Sequence, residues 1–338
     1  VTRLAQIAEA SGANVINTGI GWHEARIPTI ATMVPRGGFR FVTKKLMGEV
    51  SVPLITTNRF NNPADCEAAL SEGCADMISM ARPFLADPHL VKKARLSRPE
   101  DINTCIGCNQ ACLDHVFKQK VASCLVNPRA CHEEIYGMLP RPDADQMSQA
   151  RGGSLGSTLS GKRIAVLGGG PAGMSAAVER ARHGADVVLF EAKDALGGQF
   201  LLARNIPGKT EFDETIRHFA TQMEHLGIEV RLSERPNSAA LDSFDEVIVA
   251  TGVKPRALTI PGTDRPEVVS YVEVLEGRVT VGARVAIVGA GGIGFDVADF
   301  KMLTHLNPLS IQVNIRHKNS EKKVTIDDCS FLSQCIDE

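Results

Sequence analysis

Short apolar runs alternate with helix-like segments through the first hundred residues. The three clearest runs are NVINTG at 14–19, VPLITT at 52–57 and ADMISM at 75–80. Each precedes a segment that suits a helix, and repeated strand–helix pairs predict parallel β/α units. Because three units cannot close a sheet by themselves, we expect this region to be cut from a larger fold.

Two later segments share another pattern, in which an apolar strand runs into a glycine-rich turn and then a helix. The first is RIAVLGGGPAGMSAAVERARHGADVVLFEAK from Arg163, and the second is RVAIVGAGGIGFDVADF from Arg284. Both predict nucleotide-binding α/β units. Residues 137–161 combine Pro, Gly, Ser and Asp without hydrophobic periodicity, which is typical of a linker.

The composition is that of an ordinary globular protein: 43% of the 338 residues are hydrophobic and 22% are charged,. A formal charge of −2 gives no electrostatic reason to expect nucleic acid or an anionic membrane as a partner,. No apolar run approaches the roughly 20 residues that span a bilayer. The opening VTRLAQIAEASG suits an amphipathic helix better than a signal peptide,, so we expect a cytoplasmic protein.

Four of the nine cysteines are closely spaced. Cys105, Cys108, Cys112 and Cys124 follow the pattern C-x2-C-x3-C-x11-C, and four thiolates on a short loop bind either zinc or an iron-sulfur cluster. Structural zinc usually takes two CxxC-like knuckles, whereas here the fourth cysteine comes alone. The spacing therefore favours a 4Fe-4S cluster over zinc, and four reduced thiols that only happen to be close are the third interpretation.

The first glycine turn has the context of a dinucleotide site. Gly168, Gly170 and Gly173 form GxGxxG between a strand and a helix, and the second strand ends on Glu191. The glycines allow pyrophosphate to approach the helix N-terminus, and a carboxylate at that distance meets a ribose hydroxyl. A glycine turn needed only for packing is the alternative. The chain is expected to return to the same ligand at Ala250.

The second glycine turn repeats this spacing at Gly289, Gly291 and Gly294. Further on, SIQVNIR alternates apolar and polar residues, which predicts a second strand of the same unit. The basic residues Arg316, His317 and Lys318 then stand where a 2'-phosphate would lie, and this favours NADPH over NADH,. A solvated basic turn explains these three residues equally well.

The loop TGIGWHEARIP follows the first strand and carries His23. Loops at the carboxyl ends of barrel strands are where catalytic side chains lie, so this histidine is either a usable imidazole or a structural one. Arg59 and Arg82 follow the next two strands. Those two loops commonly bind phosphate in barrels, and surface ion pairs are the alternative.

Several motifs occur in order along the chain: INTGIGWHEARIPTIAT, TTNRF, MARPFLADP, NTCIGCNQACLD, SCLVNPRAC, GGGPAGM and GGIGFD. From residue 1 to about 300 they resemble the bacterial-type 2,4-dienoyl-CoA reductase (NADPH) family, which joins an Old Yellow Enzyme-like FMN barrel to an FAD and NADPH module. The resemblance implies an α/β fold. Its parts are the C-terminal portion of a (β/α)8 FMN barrel (1–100), an iron-sulfur segment (101–136), a linker (137–161), a Rossmann-like FAD domain (162–280) and a partial NAD(P)H domain with an atypical tail (281–338).

The resemblance also implies an activity in the β-oxidation of unsaturated fatty acids. Electrons would pass from NADPH to FAD, to the 4Fe-4S cluster, to FMN and then to an acyl-CoA substrate. His23 matches the family's catalytic histidine, which assists a tyrosine, and Glu24 and Arg26 lie in the substrate loop. The matching cofactor positions are Arg59, Ala81 and Arg82 for the FMN phosphate, and Ala172, Glu191 and Gln199 for FAD.

The chain also departs from the family. About five barrel units and the partner tyrosine precede the matching part in the family, and after Phe300 the sequence leaves the pattern,, so we expect truncation at both ends. Other interpretations therefore stay open. They are an electron-transfer module that serves a separate barrel, an inactive fragment, and a related enzyme that reduces enoates or oxidises trimethylamine.

Overall fold

The structure is a computed structural model that describes residues 1–21, 30–137, 158–256, 259–282, 284–289, 291–304, 311–317 and 320–326. The chain divides into two compact units. The first comprises Val1–Phe200 and Glu211–Gly252, and the second comprises Leu201–Thr210 and Val253–Glu338. Each unit is described by itself.

The first unit begins with a three-stranded parallel sheet, as the apolar runs predict. Its strands, in order, are β1 (Ile16–Thr18), β2 (Leu54–Thr56) and β3 (Met77–Ile78). The helices that accompany them are α1 (Thr2–Ala10), α2 (Arg40–Lys44), α3 (Pro63–Ser71), α4 (Arg82–Ala86) and α5 (Leu90–Arg95). The Asn62 side chain caps α3 by accepting from the Asp65 amide,. The parallel β/α prediction for this region is confirmed.

The cysteine-rich segment contains little regular structure. It has a 3-10 turn (Pro99–Asp101) and two short helices, α6 (Leu113–Phe117) and α7 (Glu133–Tyr136). Buried asparagines hold it in place instead: Asn103 Nδ2 donates to Val126 O at 2.8 Å, and Asn127 Nδ2 donates to Leu85 O at 2.8 Å. These bonds fix the arm that carries the fourth cysteine beside α4.

A second parallel sheet follows in the same unit. Its strands are β4 (Arg163–Leu167), β5 (Asp186–Phe190), β6 (Glu229–Arg231) and β7 (Glu246–Val249), in the order β6-β5-β4-β7. The helices are α8 (Pro171–Arg182), the short α9 (Phe200–Ala203), whose residues after Phe200 belong to the second unit, α10 (Phe212–His225) and α11 (Ser238–Leu241). The order β5-β4-β7 places later strands on both sides of the first strand, as in Rossmann-like folds. Buried Met174, Leu189 and Met223 join the sheet to its helices, and the α/β prediction is confirmed.

The second unit corrects two predictions. It contains α12 (Tyr271–Leu275), α13 (Gly292–Thr304), β8 (Ile311–His317) and β9 (Ser320–Ile326). The predicted strand over 284–289 is not formed, because this segment has no strand partner among the described residues. The predicted second parallel strand is β8, but β8 pairs antiparallel with β9, with Ile311 opposite Ile326. The described residues of this part of the chain therefore do not form the predicted parallel sheet, and a role in binding NAD(P)H stays a prediction.

Helices long and apolar enough to cross a membrane are absent from the part of the chain that the structure describes.

Candidate functional site

The four predicted cluster cysteines line one small cavity in the first unit, which we call the cysteine cavity. Cys105, Cys108 and Cys112 come from the loop before α6. The chain returns after α6 because the Ser123 amide donates to Ala111 O at 2.7 Å, and this brings Cys124 to the same cavity. Residues spread over twenty positions are thus brought together at one place.

Backbone amides point at three of the sulfur atoms. The Gly107 amide hydrogen-bonds Cys105, the Gln110 amide hydrogen-bonds Cys108, and the Val126 and Asn127 amides hydrogen-bond Cys124. N–H groups directed at sulfur stabilise thiolates and tune iron-sulfur centres.

Burial acts against the thiolates when nothing else is bound. It raises the pKa of the Cys124 thiol to about 12, and it also raises the pKa values of Cys105 and Cys108. Since metal ligands are deprotonated cysteines, a positively charged group must offset this burial for the site to load. The cavity therefore suits a positively charged metal centre better than a free reactive thiol.

The arrangement also bears on which metal fits. No three His, Cys, Asp or Glu side chains of the described residues are placed to hold a single ion, yet four thiols surround one cavity. A 4Fe-4S cluster has four cysteine ligands, each on its own iron, so its sulfurs surround the cluster without meeting at one point. The four thiols are the ligand set that a 4Fe-4S cluster takes, and the identity of the metal stays a prediction,.

The two predicted phosphate arginines contact the cysteine loop. Arg82 lines the cysteine cavity, and its Nη1 donates to Ile30 O at 3.1 Å and to Asn109 Oδ1 at 2.5 Å. Arg59 is buried, and its Nε donates to Val34 O at 2.8 Å. Burial raises the pKa of Cys105, and the charges of Arg82 and Arg59 oppose that rise. A role of these arginines and the exposed Ala81 toward FMN stays a prediction.

The first glycine turn is tightly closed. A Cβ on Gly173 would lie 1.8 Å from Gly168 O, and Gly168 has a φ of +111°, so neither position accepts a side chain. The Glu191 carboxylate closes the turn, since its Oε2 accepts from the Gly169 amide at 2.6 Å. A Cβ on Gly168 would lie 2.4 Å from Ala250 O, which places the returning strand at the turn as expected.

The other predicted FAD positions meet at this turn. Gly170 precedes the twelve-residue helix α8, and Ala172 is exposed on its first turn. The Gly197 amide donates to Gly169 O at 2.8 Å and so brings the loop with exposed Gln199 to the same place. A helix N-terminus with close-packed glycines suits a pyrophosphate, so these residues fit FAD.

The second glycine turn, in the second unit, has a similar local shape. Gly289 has a φ of +118°, and a Cβ on Gly294 would lie 2.2 Å from Gly289 O. Gly291 lies between them, just before α13. Of the basic residues predicted to meet a 2'-phosphate, Arg316 and His317 end β8 and Lys318 lies outside the described residues. Their role stays a prediction.

His23, Glu24 and Arg26 also lie outside the described residues. Sequence reasoning missed a buried carboxylate, Glu211, that pairs with Arg59 Nη2 at 2.8 Å. It also missed Arg217 of α10, which donates to Ile102 O at 2.7 Å. Neither residue belongs to a local motif, so only the folded chain shows these contacts.

Two family models match the chain. Residues 2–101 match the NADH:flavin oxidoreductase / NADH oxidase family, and residues 162–326 match the pyridine nucleotide-disulphide oxidoreductase family. The second match includes both glycine turns. The cysteine-rich segment lies between the two matched regions.

The curated relatives and solved structures are similar over most of the chain. A metal reductase of Desulforamulus reducens is 37% identical over 299 residues, which is 87% of this chain and 42% of that protein. A solved 2-naphthoyl-CoA reductase in complex with 2-naphthoyl-CoA is 31% identical with a TM-score of 0.80, and the match covers 90% of this chain and 44% of that one. The chain thus spans less than half the length of these relatives.

One further curated protein is similar to only a short part of the chain. A ribosome maturation factor RimP of Prochlorococcus marinus is 82% identical over 49 residues, which is 14% of this chain and 31% of that protein. The two long matches and the two family models, by contrast, agree with the fold and with the order of the predicted parts. Residues 2–101 are therefore similar to the NADH:flavin oxidoreductase family, and residues 162–326 are similar to the pyridine nucleotide-disulphide oxidoreductase family.

Proposed function

We propose that the chain is part of a flavin-dependent oxidoreductase that uses NADPH to reduce conjugated acyl-CoA thioesters, with 2,4-dienoyl-CoA as the substrate. The observation that supports the proposal is the cysteine cavity, because four cysteines line this one cavity. Iron-sulfur clusters carry single electrons, so a cluster at this place could connect a carrier of electron pairs to a second site. The glycine turn of the same unit fits the flavin that would supply them.

Each part of the described site has a role in this proposal. When bound, NADPH and the flavins would exchange electron pairs, and the cluster would relay single electrons. Cys105, Cys108, Cys112 and Cys124 would hold the cluster, and the amides at their sulfurs would set its hydrogen bonding. Glu191 holds the glycine turn closed for FAD through its bond to the Gly169 amide.

The substrate part of the proposal rests on the family resemblance and on one relative. His23 would assist a tyrosine in protonating the substrate, and Glu24 and Arg26 would belong to the substrate loop. Arg59, Ala81 and Arg82 are proposed near the FMN phosphate. The solved relative binds 2-naphthoyl-CoA, which is a thioester conjugated with unsaturated carbon. A dienoyl-CoA has the same reactive feature, so a hydride acceptor of this class is supported.

An electron-transfer module is the second candidate, and the similarity to a metal reductase favours it. In that case FAD and the cluster would deliver electrons to an external acceptor without a complete barrel. The chain would then bind FAD and iron but no FMN. It would reduce a soluble ferric chelate with NADPH and leave 2,4-dienoyl-CoA unchanged.

The first experiment is anaerobic purification with analysis of iron, sulfide, zinc and released flavin. We expect about four irons and four sulfides per chain, as a 4Fe-4S cluster requires. Cys108→Ser should lose them, whereas Cys131→Ser should keep them because Cys131 is exposed and does not line the cavity. Zinc without sulfide would overturn the cluster, and FAD without FMN would favour the second candidate.

A further inference from the structure

A buried ionic network lies at the start of α10. The Glu211 side chain is 8% exposed, and its Oε2 accepts from Arg59 Nη2 at 2.8 Å. Its Oε1 accepts from Asn61 Nδ2 at 2.8 Å and from Arg36 Nε at 2.7 Å. Arg59 is only 3% exposed, so the pair it forms with Glu211 is shielded from water. We call these four residues the Glu211 network.

The Glu211 network packs directly against the loop between the first two cysteines. Asn61 Nδ2 also donates to Cys105 O at 2.7 Å. A Cβ placed on Gly107 would lie 2.9 Å from Arg59 Nη1 and 3.5 Å from Glu211 Oε2, so there is no space for a side chain between the network and the loop. One member of the network therefore holds the cysteine loop by its backbone, and two others carry opposite charges beside it.

Opposite charges at this position have a specific electrical consequence. In a buried site the attraction between two charges is strong, and removal of one partner leaves the other uncompensated. A cluster gains one negative charge when it is reduced, and its potential responds to nearby charge. An unpaired guanidinium would therefore favour the reduced cluster, and an unpaired carboxylate would favour the oxidised one.

We propose that Glu211 and Arg59 are a compensating charge pair, in which each residue offsets the effect of the other on the reduction potential of the cluster held by the cysteine cavity. The proposal deepens the proposed function and rests on it, because it needs a cluster at the four cysteines. Arg59 comes from the loop after β2 and Glu211 from the start of α10. The potential thus depends on contact between the barrel segment and the glycine-turn part of the first unit. Both act on the cluster as positioning residues, since neither is a ligand of its iron atoms.

The test is a redox titration of the full chain, purified or reconstituted with iron and sulfide and followed by electron paramagnetic resonance of the reduced cluster. Glu211→Gln should raise the midpoint potential and Arg59→Gln should lower it. The double variant should return close to the wild-type value. A merely structural role would not move the potential in opposite directions. Arg40→Gln, which removes an exposed ion pair with Glu72, should leave the potential unchanged.

Shifts in the same direction, an absence of shift, or a double variant that fails to restore the potential would each overturn the proposal. If the single variants do not hold a cluster, Arg36→Gln decides, because Arg36 is 27% exposed and bonds the same carboxylate. Its loss should lower the potential, and an unchanged or raised value would refute the charge pair. A wild-type chain without iron and sulfide would instead overturn the proposed function, so the two failures are distinguishable.

Discussion

Acid should destabilise the first unit through one histidine. His218 of α10 is 9% exposed, and its Nδ1 has no hydrogen-bond partner in the part of the chain that the structure describes. Burial, together with the nearby positive charges of Lys93, Arg182 and Arg217, lowers the pKa of His218 to about 3. The folded chain therefore holds this ring in its neutral form.

The sign and size of the effect follow from linkage. The usual histidine pKa is 6.5, so below that pH His218 is protonated in the unfolded chain but stays neutral in the folded chain. The contribution of the neutral His218 ring to the free energy of unfolding is complete above pH 6.5 and is lost as the pH falls toward 3. Between pH 8 and pH 5 the loss in the free energy of unfolding is about 2 kcal/mol. Carboxylates with a lowered pKa, such as Glu214, lose their contribution only at lower pH.

The assay is urea unfolding at pH 8 and at pH 5, followed by circular dichroism. His218→Gln keeps an N–H donor but cannot ionise, so most of the pH dependence should disappear. His183→Gln is the control, because His183 is half-buried at the end of α8 and its loss should leave the pH dependence intact. Equal losses of stability in the wild type and in His218→Gln would refute the assignment.

Two further predictions concern the first glycine turn. Gly173→Ala should abolish FAD binding in a flavin-release assay, because its Cβ would lie 1.8 Å from Gly168 O. The control Gly282→Ala should bind flavin normally, because there is open space around Gly282. Retained FAD in Gly173→Ala would contradict the geometry. Glu191→Gln should weaken FAD binding about 5- to 30-fold, since it replaces a charged acceptor of the Gly169 amide with a neutral one, a change of about 1–2 kcal/mol. Isothermal titration with FAD measures this, and an unchanged affinity would show that the carboxylate is not needed there.

The parts of the fold that the sequence predicts correctly are those with a local signature. Apolar runs followed by helix-like segments identify the three strands of the first sheet, because alternation of strand and helix is a property of neighbouring residues. The closed geometry at Gly168 and Gly173 is likewise required by a short motif. The spacing of the four cysteines predicts their convergence, since three of them lie within eight positions of one loop.

The parts that were missed or wrong depend on partners far away in the chain. The alternation in β8 is the same for a parallel and an antiparallel strand, so the pattern could not identify β9 as its neighbour,. Residues 284–289 are apolar enough for a strand, yet a strand also needs a hydrogen-bonded partner. The pairing of Arg59 with Glu211 joins positions 152 residues apart, and no local rule connects them.

The shape of the cysteine-rich segment has a consequence for how the protein is made. Arg217 donates to Ile102 O and to Thr104 Oγ1, so a side chain from α10 braces the stretch that leads into the first cysteine. On a ribosome, Arg217 leaves the exit tunnel long after the cysteines do. The braced form of this segment can therefore arise only late in synthesis, after every residue that lines the cysteine cavity has already left the ribosome.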